Sequence, residues 1–185
     1  MVLLIIEGPD LSGKTTAIEK IAKHFNSGFV LKNAYKPKEQ RDSKIYEQYD
    51  NILDLIENWE ENSWTESSND VLILDRFYPS QAVYSILRGY DELQEPRVEL
   101  LERRLINYEF DVIYVYLDCS IDLLKCRYKE RGDEHISIEQ LEMLKTRYDL
   151  FYEKCKLNKI KIDTMQKDWL EKFESFLYAN GVLVK

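Results

Sequence analysis

Apolar residues along the chain follow two alternating patterns, short continuous runs and longer amphipathic stretches. The short runs are aliphatic or β-branched, as in buried parallel strands. They predict strands at Val2–Ile6, Gly28–Lys32, Val71–Asp75, Val112–Leu117 and Lys159–Asp163. The stretches between them carry apolar residues three or four positions apart, which predicts helices. This alternation is typical of an α/β fold in which helices flank a parallel sheet.

The helices can be placed by their apolar faces and capping residues. Four of them are predicted at Lys14–Phe25, at Ser43–Glu61, from Pro96 onward, and at Lys167–Ala179. Ser120 is expected to cap a further helix after the fourth strand, and the capping box that begins at Ser137 is expected to open another. No repeat or linker interrupts the pattern, so we predict a single domain over residues 1–185.

Composition narrows the class of protein. Hydrophobic residues make up 44% of the chain and charged residues 32%, which is an ordinary globular balance. The net charge of −8 argues against a nucleic-acid partner, since nucleic-acid phosphates require a basic surface. No apolar run approaches the length that spans a membrane. The cysteines lack metal-ligand spacing, so we expect a cytoplasmic protein with reduced thiols.

The most specific motif lies between the first predicted strand and the first helix. Residues 8–15 match the phosphate-loop pattern G-x-x-x-x-G-K-[ST]. Backbone N–H groups and the helix N-terminus would bind the phosphates. Lys14 would contact the β- and γ-phosphates, and the Thr15 hydroxyl would ligate Mg²⁺. We predict that ATP is bound by Gly8, Asp10, Leu11, Ser12, Gly13, Lys14, Thr15 and Thr16.

A second segment indicates the type of reaction. Asp75 ends the third predicted strand, where a carboxylate can hold Mg²⁺ through water opposite Lys14. Arg76 follows at once, and a guanidinium can fix a second anionic group against the γ-phosphate. This combination predicts phosphoryl transfer to an acceptor rather than nucleotide hydrolysis. The alternative is a surface pair that caps the next helix.

Together, the two segments resemble thymidylate kinases. Residues 7–16 are similar to that family's loop E-G-x-D-x-x-G-K-T-T, and residues 75–84 resemble its segment D-R-[YFH]-x-x-S-x-x-A-Y. The resemblance implies a P-loop kinase fold with a five-stranded parallel sheet, Mg-ATP as phosphate donor, and often a homodimer. It also implies that Asp10 lies near the acceptor sugar and that the acceptor contacts Arg76, Ser80 and Tyr84.

A third segment, about residues 127–136, stands where nucleotide kinases carry a mobile lid. Arg127 and Arg131 are four positions apart and share one helix face. Both are predicted to be catalytic, because they could stabilise charge on the transferring phosphoryl group as the lid closes. The alternative is a solvated basic end of a helix. Residues 127–148 resemble deoxynucleoside kinases more than thymidylate kinases.

The nature of the acceptor depends on whether the site contains a general base. Deoxynucleoside kinases phosphorylate a neutral hydroxyl and need a base. That family carries a Glu after the second strand, whereas this chain has no carboxylate there until Glu39. A monophosphate is already anionic and needs cations, and Lys36 stands where thymidylate kinases have an Arg.

Four aromatic residues could either stack on the acceptor base or belong to the core. They are Tyr46, Tyr49, Phe77 and Tyr84.

These observations favour ATP-dependent phosphorylation of a deoxynucleoside monophosphate, with dTMP or a related pyrimidine as the first candidate. Predicted acceptor contacts are Asp10, Lys36, Asp75, Arg76, Ser80 and Tyr84. Two alternatives stay open. One is a deoxynucleoside kinase that phosphorylates the 5′-hydroxyl, and the other is a regulatory module that binds a nucleotide without turnover.

Overall fold

The computed structural model describes residues 1–26, 29–32, 43–63, 71–93, 95–131 and 136–182. Within them the strands form one sheet in the order β2-β3-β1-β4-β5, and each recorded pairing is parallel. The strands are β1 (Val2–Glu7), β2 (Phe29–Lys32), β3 (Val71–Asp75), β4 (Asp111–Asp118) and β5 (Asn158–Asp163). The predicted five-stranded parallel sheet is confirmed, and the strand ends differ from the prediction by at most one residue.

Helices connect successive strands. They are α1 (Lys14–His24), α2 (Ser43–Ser63), α3 (Tyr78–Tyr84), a short 3-10 helix (Ser85–Arg88), α4 (Pro96–Ile106), α5 (Ile121–Arg131), α6 (Ile138–Lys154) and α7 (Trp169–Ala179). The two predicted caps are confirmed. Ser120 Oγ accepts a hydrogen bond from the Leu123 N–H at 3.2 Å, and Ser137 forms the capping box with Gln140. The sequence pattern did not delimit α3, because a single seven-residue element is too short to show a helical period.

Helices cover both faces of the sheet. Side chains alternate along a strand, so Leu3 and Ile5 of β1 pack on one side with residues of α2, α3, α4 and α6. Leu4 and Ile6 pack on the other side with α1 and α7. All six residues of β1 are buried, as expected for the central strand of a parallel sheet.

The sheet topology determines where a site can form. Ile6 of β1 is in register with Asp75 of β3, so the loop after β1 and the segment after β3 leave the sheet at the same edge. Ligands of open α/β sheets bind in the crevice outside this carboxyl edge. Lys36 and residues 132–135 of the predicted lid lie outside the described residues. In the described part of the chain, no helix combines the length and apolar character needed to cross a membrane.

Candidate active site

The phosphate loop joins β1 to α1 through two glycines with unusual backbone angles. Gly13 has φ 91° and forms the N-cap of α1. Gly8 has φ 154°, and a Cβ at this position would lie 2.9 Å from the carbonyl oxygen of Leu117 in β4. Glycine therefore allows the loop to pass this close to the neighbouring strand.

Lys14, the first residue of α1, lies back over the loop. Its Nζ donates to the carbonyl oxygens of Gly8 at 2.8 Å and Pro9 at 2.7 Å. Burial, and then the charge of Arg76, lower the pKa of Lys14 to about 7. The carboxylates of Asp10, Glu7 and Asp75 act in the opposite direction. Lys14 thus interacts electrostatically with Arg76 and with Asp75, the carboxylate that was predicted to lie opposite it.

The predicted metal ligands are suited to a magnesium-bound nucleotide. Thr15 and Thr16 have exposed side chains at the start of α1, and Asp75 is half-buried at the end of β3. A hydroxyl and a carboxylate are oxygen donors of the kind that Mg²⁺ takes. The described residues contain no group of three or more His, Cys, Asp or Glu side chains that could hold a metal. Mg²⁺ on a nucleotide needs few protein ligands, because phosphates and water complete its coordination.

Arg76 is the centre of the second half of the site. Its φ of 68° is in the left-handed region, which is uncommon for a residue other than glycine. Its N–H donates to the carbonyl oxygen of Ile6 at 3.1 Å. The guanidinium donates to Asp10 Oδ1 at 2.5 Å. Its Nη1 donates to Ser80 Oγ at 2.9 Å and to the Tyr148 hydroxyl at 3.0 Å. The guanidinium is therefore fixed directly against the phosphate loop.

Tyr84 completes the connection between the loop and Arg76. Its hydroxyl donates to Asp10 Oδ2 at 2.6 Å, and the Arg76 Cζ lies 5.2 Å from the centre of its ring. Burial raises the pKa of Tyr84, so its hydroxyl is a protonated donor at neutral pH. The structure thus brings together the predicted acceptor residues Asp10, Arg76, Ser80 and Tyr84.

Glu7 lies beneath this cluster, and sequence reasoning assigned it no role. Its side chain is 0% exposed. The carboxylate accepts hydrogen bonds from the backbone N–H groups of Phe77 at 2.7 Å and Ser80 at 3.2 Å, and from the Ser80 hydroxyl at 2.5 Å. Burial raises the pKa of Glu7, while the charge of Arg76 opposes the rise. A carboxylate at the end of an otherwise apolar strand was the signal that could have identified it.

Tyr148 is the other residue that sequence reasoning missed. It lies on the apolar face of α6, three positions before Phe151, and it is 0% exposed. Its hydroxyl nevertheless lies 2.9 Å from Ser80 Oγ and 3.2 Å from Glu7 Oε2, in addition to its contact with Arg76. A tyrosine on an apolar helix face gives no sequence signal that its hydroxyl reaches a polar site.

The two predicted lid arginines have different surroundings. Arg127 Nη1 donates to the carbonyl oxygen of Leu11 at 2.6 Å. A Cβ at Gly13 would lie 3.7 Å from Arg127 Nη1 and 3.7 Å from Thr164 Oγ1, so α5 and the turn after β5 both border the loop. Arg131 ends α5 one turn further along with an exposed side chain. Arg127 therefore packs on the donor side of the site.

The four aromatic candidates for base stacking have different positions in the structure. Tyr49 and Phe77 are buried, and their ring centres are 4.8 Å apart, so both belong to the core. Tyr46 lies 5.1 Å from the guanidinium carbon of Arg97, which covers its ring. Tyr84 lies at the Arg76 cluster, among the residues that were predicted to contact the acceptor.

Comparison with known proteins gives one curated relative and several similar structures. No family model matches the chain. The SPbeta prophage-derived uncharacterized protein YorR of Bacillus subtilis (strain 168) is 26% identical over 145 residues, which is 78% of each chain. The crystal structure of YorR in complex with phosphorylated GDP superimposes with a TM-score of 0.72 at 24% identity. That superposition covers 97% of this chain and 96% of YorR.

Deoxyadenosine kinase from M. mycoides also shares the architecture. Its structure with bound dATP gives a TM-score of 0.54 at 18% identity, over 96% of this chain and 100% of the kinase. Its structure with the products dCMP and dCDP gives 0.57 at 18% identity, over 96% and 99% of the two chains. The parallel sheet, its flanking helices and these likenesses show that the chain has the fold of P-loop nucleoside and nucleotide kinases.

Proposed function

We propose that this protein transfers the γ-phosphate of Mg-ATP to a deoxynucleoside monophosphate, with dTMP or a related pyrimidine nucleotide as the first candidate. The observation that carries the proposal is the Arg76 guanidinium, which is bound at 2.5 Å to Asp10, a residue of the phosphate loop itself. Arg76 is also close enough to Lys14 to lower its pKa. One cation would therefore bind the donor phosphates and the other the acceptor phosphate, within a single crevice.

The chain would contribute positioning and charge neutralisation rather than covalent chemistry. An oxygen of the acceptor phosphate attacks the γ-phosphorus, and the bond from that phosphorus to ADP breaks. Arg76 would hold the acceptor in line, while Lys14 would neutralise charge on the β- and γ-phosphates. Thr15, and Asp75 through water, would hold the Mg²⁺ that supplies further positive charge. Arg127 and Arg131 keep their predicted role of stabilising the transferring group.

The arrangement of carboxylates favours a monophosphate over a nucleoside as acceptor. Two carboxylates lie at the Arg76 cluster in the described part of the chain. Asp10 accepts directly from Arg76, and Glu7 accepts from Ser80, which itself accepts from Arg76. Glu7 is fully buried, and its oxygens accept from Phe77, Ser80 and Tyr148. Both oxygens of Asp10 accept hydrogen bonds, one from Arg76 and one from Tyr84. A monophosphate needs no base, because its oxygens are already anionic.

A deoxynucleoside kinase is the second candidate. It is favoured by the resemblance of residues 127–148 to that family and by the shared fold of the M. mycoides enzyme. In this case Asp10 would have to accept the proton of the 5′-hydroxyl while its oxygens are also engaged with Arg76 and Tyr84, or another carboxylate would have to serve as the base.

The test is a screen for ADP release from Mg-ATP against the common nucleosides and their monophosphates. Turnover of at least one deoxynucleoside monophosphate is the expected result. Turnover of nucleosides alone would replace the first proposal with the second. Tight ATP binding without turnover of either class would indicate the regulatory module.

A further inference from the structure

The Tyr148 hydroxyl connects α6 to the acceptor side of the site. Its ring stacks on Tyr116 of β4 with centres 5.8 Å apart and an interplanar angle of 15°. The ring of Tyr84 meets it edge-on at 6.2 Å and 77°. Aromatic neighbours on two sides leave the buried ring little freedom, so the direction of its hydroxyl is set by packing.

The directions of the hydrogen bonds follow from what each group can donate. A guanidinium has only donors, so Tyr148 and Ser80 each accept from Arg76 Nη1. The single Ser80 proton goes to Glu7 Oε2 at 2.5 Å. The Tyr148 proton then goes to Glu7 at 3.2 Å or to Ser80 at 2.9 Å. Burial raises the pKa of Tyr148, which keeps this proton in place. The hydroxyl thus links the Arg76 guanidinium to the carboxylate at the end of β1.

The preceding residue fixes α6 against α3. Arg147 is buried; its Nε donates to the carbonyl oxygen of Val83 at 2.9 Å, and its Nη2 donates to that of Ala82 at 3.1 Å. Nη2 also donates to Asp91 Oδ1 at 2.7 Å. The carbonyls at the C-terminus of α3 carry the negative end of its dipole, which favours this cation. The Tyr148 hydroxyl is therefore held in place relative to α3, the helix that carries Ser80 and Tyr84.

We propose that Tyr148 is a positioning residue, which holds the Arg76 guanidinium in the orientation that receives the acceptor phosphate. Loss of the hydroxyl leaves Nη1 with Ser80 as its neighbouring acceptor and removes the restraint that α6 provides. The role of this orientation in catalysis rests on the proposed function, whereas the restraint on Arg76 can be measured without a substrate.

The first test compares Tyr148→Phe with Tyr114→Phe. Both substitutions remove one buried hydroxyl, but that of Tyr114 has no hydrogen-bond partner among the described residues. Side-chain ¹⁵N NMR of the guanidinium, assigned with Arg76→Lys, measures rotation about its Nε–Cζ bond. We expect this rotation to be about tenfold faster in Tyr148→Phe than in the wild type, because the guanidinium loses one charge-assisted hydrogen bond. Equal rates in the two Tyr variants would overturn the proposal, whether or not the protein is active.

The second test uses the acceptor that the screen identifies. Tyr148→Phe is expected to lower kcat/KM for the acceptor about tenfold while the KM for ATP stays the same. In the Arg76→Ala background the same substitution should have no further effect, because Tyr148 acts through Arg76. Equal losses on the ATP and acceptor sides, or a loss that persists without Arg76, would show a merely structural role and overturn the proposal. Absence of turnover in the wild type would contradict the proposed function instead, and the NMR comparison would still decide the role of Tyr148.

Discussion

The geometry of the site depends at the residue scale on Arg76. Its left-handed backbone costs of order 1–3 kcal/mol for a residue other than glycine. The neighbouring structure enforces this conformation through the bond of its N–H to Ile6 and through the bond of its guanidinium to Asp10. The consequence is that the side chain turns back toward the phosphate loop at the point where β3 ends.

Substitution of Arg76 and of Lys14 should affect different substrates. Arg76→Ala is expected to lower kcat/KM for the acceptor by about 10²–10³, because a charged contact to the reacting phosphates is lost. Lys14→Ala is expected to weaken ATP binding, since the ammonium would contact the donor phosphates in the proposed complex. Steady-state kinetics with each substrate varied, together with binding of a non-hydrolysable ATP analogue, separates the two effects. Equal loss of ATP binding in both variants would contradict the role given to Arg76.

The titration of Glu7 should be visible in stability. Burial raises the pKa of Glu7 above the 4.5 of an exposed Glu. The folded protein therefore binds this proton more tightly than the unfolded chain. The protonated Glu7 therefore stabilises the fold fully when the pH is below the pKa of Glu7 in the unfolded chain. This stabilisation is lost as the pH rises through the pKa of Glu7 in the folded protein. Glu7→Gln cannot titrate, so the unfolding free energy of the wild type minus that of the variant should fall as pH rises above about 4.5. Urea unfolding at a series of pH values measures this difference, and a constant difference would contradict the prediction.

Replacing a glycine by alanine can destabilise a protein through backbone strain and through a steric clash of the new Cβ. Gly8 and Gly181 allow these two effects to be measured separately. Both have positive φ, but a Cβ at Gly8 would lie 2.9 Å from Leu117 O and 2.9 Å from Ser12 Oγ, whereas no atom of the described residues lies within 4 Å of a Cβ at Gly181. Gly181→Ala is expected to cost about 1 kcal/mol of stability for the left-handed backbone alone. Gly8→Ala is expected to cost about 3 kcal/mol, because the loop must also move away from β4. Urea unfolding and ATP-analogue binding check this, and equal losses in the two variants would refute it.

At the scale of elements, the contact between α6 and α3 is the most extensive one between two of the described helices. Arg147→Met leaves two buried carbonyls, those of Ala82 and Val83, without this donor. We expect a loss of about 2–4 kcal/mol in the free energy of unfolding, because hydrogen bonds from a charged donor are lost. The Ala82 carbonyl keeps the bond that it accepts from the Ser85 hydroxyl at 2.7 Å. The control is Arg103→Met, which removes an exposed ion pair with Glu99 and should change the stability far less. Chemical denaturation of both variants gives the comparison, and similar losses would contradict the role given to Arg147.

The elements that sequence analysis predicted well are those with a local signal. Strands β1, β3 and β4 are continuous apolar runs. The phosphate loop has a recognisable motif because Gly8 passes close to the backbone of β4 and Gly13 has a left-handed backbone. Contacts between distant elements have no such signal. Tyr148 lies 141 positions from Glu7, and its hydroxyl reaches that carboxylate only because α6 packs on α3. The short helix α3 was likewise not delimited, because its ends are set by the Arg76 segment before it and by the 3-10 helix after it.

Charge is distributed unevenly over the whole molecule. The chain has a net charge of −8, yet Lys14, Arg76 and Arg127 converge on the phosphate loop. Such a focus of positive charge in an acidic protein attracts small anions and disfavours extended polyanions such as nucleic acid. The homodimer implied by the resemblance to thymidylate kinases stays a prediction at this scale.

Two phosphate sites in one crevice should bind a joined ligand far more tightly than either part. We predict that adenosine linked to deoxythymidine through a chain of about five phosphates binds at least about 10²-fold more tightly than ATP, because the second contact becomes intramolecular. Isothermal titration calorimetry in the presence of Mg²⁺ measures both affinities. In Arg76→Ala the linked compound should bind no more tightly than ATP, since the acceptor half has lost its cation. An advantage that persists in Arg76→Ala would place the acceptor phosphate elsewhere, and no advantage in the wild type would contradict the two-phosphate site.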